Sequence, residues 1–161
     1  MNDSARNASA ANSVELVITR IFDAPRELVY QAFVDPDQLA AWFGPVGYTV
    51  PRESVDIDAR VGGHQRFVMV SDDNPQMRSP VDAQLTEVIP NELIVGIQNW
   101  EHIDGAPGPA GRHISLRLEF HDEGGKTRLV LRQGPYAADM EHLARMGWDS
   151  SFTRLDELLA G

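Results

Sequence analysis

The chain has no cysteine, which excludes disulfides, thiolate zinc sites and cysteine nucleophiles together and leaves no sign of an oxidising compartment. A cytoplasmic setting is therefore expected. Long apolar runs are also missing: no stretch approaches the roughly eighteen apolar residues of a membrane span, so no integral membrane association is expected. Positive charge is scarce, with 14 Lys and Arg against 24 Asp and Glu, a formal net charge of -10 and a pI near 4.8. Without a local basic patch, that balance excludes nucleic acid, whose binding requires cations to neutralise phosphates. It also repels anionic lipid surfaces. Small molecules and other proteins remain as partners, and a homodimer is compatible with the sequence. No P-loop, dinucleotide fingerprint, HExxH or GxSxG pattern occurs.

What is present is a length of 161 residues, the size of about one domain and enough for a core without staples. Residues 1–13 are rich in Ala, Asn and Ser with no apolar h-region, and are expected to be a flexible tail before a single domain over residues 14–161. Val14 to Phe22 reads as a strand. Asp23-Ala24-Pro25 ends it and starts a short helix to about Phe33, with Asp23 or Ala24 as cap and Glu27 near the positive helix end. Asp35-Pro36 repeats the signal for a second short helix through Leu39 to Trp42.

After the turn Gly44-Pro45-Val46-Gly47, Tyr48 to Ile57 reads as extended, with Pro51 marking an edge or an irregular start. Strands are expected at His64 to Val70, Val81 to Ile89 and Leu93 to Trp100, with Gln65, Phe67 and Met69 on the inward face of the first. Glu101 to Gly111 holds three glycines and two prolines and reads as a long connection. Ile114, Leu116, Leu118 and Phe120 alternate with polar residues, a half-buried strand. The hairpin turn Asp122-Glu123-Gly124-Gly125 then returns the chain through Thr127 to Gln133, with Leu129 and Leu131 facing the core and Gly134-Pro135 ending the sheet.

The last stretch, Ala137 to Leu159, is the one long run with clear helical spacing. Met140, Leu143, Ala144, Gly147, Trp148, Ser151, Phe152, Leu155, Leu158 and Leu159 fall on one face over about six turns. Such a helix in a mostly β chain must lay its stripe on the sheet. The fold class is α+β: one strand, two short helices, a run of antiparallel strands and a long C-terminal helix.

These elements resemble the START-like (SRPBCC, helix-grip) superfamily, and within it the bacterial branch similar to activators of heat-shock-protein ATPase (AHSA-type). The resemblance rests on the order of Ala24-Pro25, Asp35-Pro36, Trp42-Phe43-Gly44-Pro45, Gly62-Gly63 with Phe67 and Met69, Glu87-Val88-Ile89-Pro90, Thr127-Arg128-Leu129, and Gly147-Trp148 with Leu155. It implies a curved antiparallel sheet of about six to seven strands gripping the C-terminal helix around an elongated cavity. It also implies a hydrophobic or amphipathic ligand, a polyketide-cyclase-like or hydrolytic activity, or a chaperone-linked, stress-response role, since fold alone does not fix function. Gln65 stands where the resemblance implies an aromatic, and Gly96 where it implies a larger residue, so both departures enlarge or polarise the cavity.

Catalysis needs acids, bases or nucleophiles converging in a dry pocket, and few residues offer that. The five histidines do not cluster. His113 and His121 lie about 27 Å apart along one strand, too far to share a metal. His142 with Asp139 or Arg145 offers a polar rim at best, and an enzyme would have to use Gln98, Glu87 or a rim histidine. No catalytic residue, metal ligand or cofactor is therefore assigned, and ligand binding is preferred to catalysis. The candidate ligand-binding residues are Trp42, Gln65, Phe67, Met69, Gln98, Trp100, Leu118, Trp148 and Phe152. Aromatics and Met at these spacings also make ordinary core. Gln65 and Gln98 are the sharper pointers, because a buried amide costs about 1–3 kcal/mol unless it is hydrogen-bonded.

Overall fold

The structure is a computed structural model, and it describes residues 13–99 and 113–161. Eight strands form one antiparallel sheet: β1 (Ser13–Phe22), β2 (Tyr48–Thr49), β3 (Asp56–Asp58), β4 (His64–Ser71), β5 (Arg78–Ile89), β6 (Leu93–Asn99), β7 (His113–Glu123) and β8 (Lys126–Ala137). The three helices are α1 (Arg26–Val34), α2 (Pro36–Trp42) and α3 (Glu141–Ala160). Strand order is β1-β8-β7-β6-β5-β4-β2, with β3 also paired to β4. This is the helix-grip arrangement, with more strands than the six or seven expected. The excess comes from Tyr48 to Ile57, where a 3-10 turn at Arg52–Ser54 divides one expected stretch into two short strands.

The second cap signal is realised as read. Asp35 Oδ1 accepts from the backbone N–H groups of Asp37 at 2.9 Å and Gln38 at 3.3 Å, the two donors of the first turn of α2 left unpaired, since Pro36 has no N–H and that of Asp35 bonds Gln31 O. Asp35→Ala is expected to lower stability by about 1 kcal/mol, measured as a reduced urea midpoint. The first helix lacks such a cap: Pro25, not Asp23 or Ala24, holds the cap position, and no side chain bonds the first turn. Its start is instead fixed from the sheet, where the wholly buried Thr127 donates from Oγ1 to Ala24 O at 2.7 Å.

Two expected boundaries are corrected. Gly134-Pro135 does not end the sheet, because β8 runs on to Ala137. Leu16 faces Gln133 and Val14 faces Tyr136, so Gly134 and Pro135 together oppose Glu15 alone. A bulge of this kind absorbs a residue without an N–H to donate. A Cβ on residue 134 would lie 3.2 Å from Val14 O and 3.3 Å from Glu15 Cα, so the glycine permits the close approach of β1. The ladder partners of Tyr136 and Ala137 in turn take backbone that would otherwise begin the last helix, which starts at Glu141 rather than Ala137.

The core divides along α3. Phe152 and Leu155, wholly buried, join Phe22, Phe33, Trp42 and Phe120 beneath α1 and α2. Their rings meet mostly edge to face, Phe22 with Phe152 at 5.5 Å and Phe33 with Trp42 at 4.9 Å, a favoured geometry for aromatic pairs. The turn after α2 is fastened to α3 by Arg154, which donates to Gly44 O at 2.9 Å and Tyr48 O at 3.0 Å, and by Ser150 Oγ, which accepts from Val46 N at 2.8 Å.

On the outer face of β7, Glu119 accepts from Arg117 Nε at 2.8 Å and lies 2.9 Å from His121 Nε2. The hydrogen bond from Arg117, followed by that of His121, holds the Glu119 carboxyl below the usual carboxylate range. A lowered folded-state pKa gives stability that is complete above the unfolded value, about 4.3, and is lost as pH falls through the folded one. Comparing denaturation of wild type and Glu119→Gln should show a small difference at neutral pH that disappears in acid. The effect is small because this carboxylate sits near solvent.

Candidate functional site

The first half of α3 does not close on the sheet. Between them lies a cavity of about 580 Å³, within the usual range for small-molecule sites. Its sheet wall carries residues of five strands, including Phe67 and Met69 of β4, Val81 and Ala83 of β5, Gln98 of β6, Leu116 and Leu118 of β7, and Gln133 of β8. Its helix wall is made by Leu143, Ala144, Gly147, Trp148 and Ser151. The turn that Arg154 fastens to α3 contributes Phe43, Pro45 and Tyr48. Phe43 lies edge-on between Phe67 at 4.7 Å and Trp148 at 5.6 Å, giving the cavity an aromatic end. Met77 and Leu143, both about half exposed, mark its opening.

Gly147 and Ser151 set the width of this space. A Cβ on residue 147 would meet nothing within 4 Å, so the glycine leaves room rather than permitting contact. Ser151 turns its hydroxyl back to Gly147 O at 2.9 Å, a local bond that hides its polarity from the cavity. Gly96 on the opposite wall differs: a Cβ there would press on Leu85 Cδ2 at 3.3 Å and Gln84 O at 3.4 Å, so close packing of the sheet requires its absence.

Four glutamines line the cavity, Gln76 at its exposed opening and Gln65, Gln98 and Gln133 on the sheet wall. Gln65 Nε2 donates to Phe33 O at 3.2 Å and Gln98 Nε2 to Pro80 O at 3.4 Å, so both amides spend an N–H on backbone carbonyls. Gln133 is held the other way. Its Oε1 accepts from Trp148 Nε1 at 2.7 Å and from Tyr136 Oη at 2.8 Å. Burial pushes the Tyr136 phenol well up from its ordinary pKa, so it stays protonated and remains a donor. Among the described residues the lining contains no Asp, Glu or His; its ionisable members are Tyr48, Tyr136 and Arg78. Arg78 sits at the exposed opening and, among the described residues, is the one Lys or Arg with neither an ion pair nor a side-chain hydrogen bond.

A family model described as Activator of Hsp90 ATPase homolog 1-like protein matches residues 23–160. The chain belongs to this family. Solved structures agree with the fold of this family member. A protein of Chromobacterium violaceum, 23% identical, superposes with a TM-score of 0.75 over 94% of this chain and 99% of its own. An AHSA1 protein of Silicibacter pomeroyi, 28% identical, has a TM-score of 0.75 over 91% and 98% of the two chains. A protein of Staphylococcus epidermidis, 24% identical, reaches 0.72 over 91% and 89%. No curated protein matches the chain.

Of the residues singled out in the sequence, this AHSA1-like chain brings Gln65, Phe67, Met69, Gln98, Leu118 and Trp148 to the cavity wall. Trp42 and Phe152 are wholly buried and do not line it: Trp42 donates from Nε1 to Ala32 O at 2.8 Å, and Phe152 packs between Phe22 and Trp148. Trp100 and the stretch from Glu101 to Gly111 lie outside the described residues. His142, Asp139 and Arg145, considered as a polar rim, do not line the cavity, and Arg145 bonds Glu141 Oε1 at 2.9 Å and Val17 O at 3.2 Å. Glu87 lies on the outer face, its Oε2 3.7 Å from Arg117 Nη1. Phe43, Gln133 and Tyr136 were not anticipated. For Gln133 the signal was there, since it shares the inward parity of Leu129 and Leu131.

Proposed function

We propose that this protein binds a small hydrophobic or amphipathic molecule in the cavity between the sheet and α3, and does not transform it. The observation that carries this reading is the cavity itself, about 580 Å³ of largely apolar wall kept open by Gly147. An apolar body would lie against Phe43, Phe67 and Trp148, where its burial contributes about 25 cal/mol per Å² of apolar surface removed from water. A polar end would sit at the opening beside Arg78. Binding without chemistry is favoured over a cyclase-like or hydrolytic activity because acid-base catalysis needs an ionisable group within hydrogen-bond reach of the reacting atoms. The carboxylate and rim histidine considered for that role, Glu87 and His142, do not line the cavity. The absence of cysteine suits a cytoplasmic carrier or sensor of such a molecule.

Native mass spectrometry of the purified protein, with thermal-shift screening of lipids and aromatic compounds, tests the proposal. A bound adduct or a concentration-dependent rise in Tm is expected. A panel that yields neither would reject it.

A further inference from the structure

The way the three amides of the sheet wall are held differs, and the difference points to the kind of molecule admitted. A tryptophan N–H can only donate, so the amide atom of Gln133 facing Trp148 Nε1 at 2.7 Å must be oxygen. A flipped amide would set donor against donor. The phenol of Tyr136 donates to the same oxygen at 2.8 Å, which leaves that acceptor occupied twice. The Nε2 group of Gln133 remains, and among the described residues it has no hydrogen-bond acceptor. It is not sealed away either, since Gln133 is only partly buried and lines the cavity. Gln65 and Gln98 are oriented oppositely, each giving one N–H to a backbone carbonyl, Phe33 O and Pro80 O. Among the described residues the cavity therefore holds one amide whose orientation is fixed by two aromatic donors and whose N–H groups both remain for a guest.

We propose that Gln133 is a specificity-determining residue whose Nε2 donates to a neutral carbonyl oxygen, of a ketone or ester, on the molecule the cavity binds. A neutral acceptor is favoured because, among the described residues, the one cationic side chain in the lining, Arg78, is exposed at the opening. An anionic group placed deeper would lose its hydration without a counter-charge. The oriented amide gives discrimination as well as affinity: a guest lacking the acceptor leaves a desolvated N–H unpaired, which costs more than an ordinary hydrogen bond contributes. This inference rests on the proposal that the cavity binds a ligand, and the experiment separates the two.

The probes are 6-propionyl-2-dimethylaminonaphthalene, a neutral aromatic ketone, and 2-propylnaphthalene, a hydrocarbon of similar shape. The variant is Gln133→Glu, studied at pH 8. Its carboxylate keeps the acceptor role toward Trp148 and Tyr136 but has no N–H to give. The ratio of ketone to hydrocarbon affinity, from fluorescence titration and competition, is expected to fall about tenfold in the variant. The infrared carbonyl stretch of the ketone bound to wild type needs no variant at all. It should lie below its frequency in alkane, as a hydrogen-bonded carbonyl does, and should return toward that value in Gln133→Glu if the variant folds. An unchanged ratio, or a bound carbonyl at its alkane frequency, would overturn the role of Gln133 while leaving the cavity as a binding site. If neither probe binds wild type, both proposals fall together.

Discussion

Replacing Gly147 by leucine is expected to stabilise the protein and at the same time remove the ligand binding proposed for its cavity. Glycine in a helix interior is about 0.8–1.0 kcal/mol less favourable than alanine, and leucine is nearly as good a helix former as alanine. A Cβ at this position meets nothing within 4 Å, so the new side chain enters open space bounded by apolar groups and does not displace backbone. Both effects raise the unfolding free energy. The same side chain occupies room a guest needs, so affinity for any cavity ligand should drop about tenfold or more, equivalent to at least 1.4 kcal/mol. Thermal unfolding and ligand titration on the same sample check the pair of signs. A variant that loses stability would mean that the space is not open, and one that binds as before would place the ligand elsewhere.

Phe152→Ala is expected to have the largest effect on stability, a loss of about 3–5 kcal/mol. Its ring is wholly buried, edge-on to Phe22 at 5.5 Å, 5.5 Å from Trp148 and stacked at 6.4 Å on Trp42. The guanidinium of Arg20 lies 5.9 Å from its centroid while also pairing with Asp156. Removing the ring takes a partner from three aromatic neighbours and from one cation at once, and the sheet behind cannot collapse to fill the gap. A domain of this size has about 5–15 kcal/mol in total, so the variant should sit close to unfolding near 37 °C. Urea denaturation followed by far-ultraviolet circular dichroism gives the measurement. A loss below about 1 kcal/mol would contradict the division of α3 into core and cavity halves.

Most of the fold could be read in the sequence because its elements carry strong local chemistry. Alternation along Ile114, Leu116, Leu118 and Phe120 has one reading, and Asp35 before Pro36 is a cap with a mechanism. The errors came where a tertiary partner decides. Gly134-Pro135 looks like a stop until β1 is seen to need a bulge opposite Glu15. Ala137 looks helical until its backbone is seen paired to Ser13.

The candidate site was legible only in part, for a similar reason. Strand parity placed Gln65, Phe67 and Met69 on the cavity side, but parity gives no distance between a helix and the sheet beneath it. Trp42 and Phe43 are adjacent, and nothing local says that the first is consumed by its bond to Ala32 O while the second turns toward Trp148. A polar residue such as Gln133 at the end of an apolar alternation reads as easily as the strand reaching solvent.

The split of α3 bears finally on how a molecule would enter and leave. Three of the four buried residues of this helix, Ser151, Phe152 and Leu155, lie in its second half, and its first turn begins at Met140 with no side-chain cap. The unbonded N–H groups of that end make fraying cheap, while the far end is anchored by rings and by Arg154. A guest bound as proposed would pass through the opening beside Met77 and Leu143, and fraying of the first turn of α3 would widen that way. Backbone amides from 141 to 150 should accordingly exchange with solvent well ahead of those from 151 to 160, and a bound guest should slow the first group selectively.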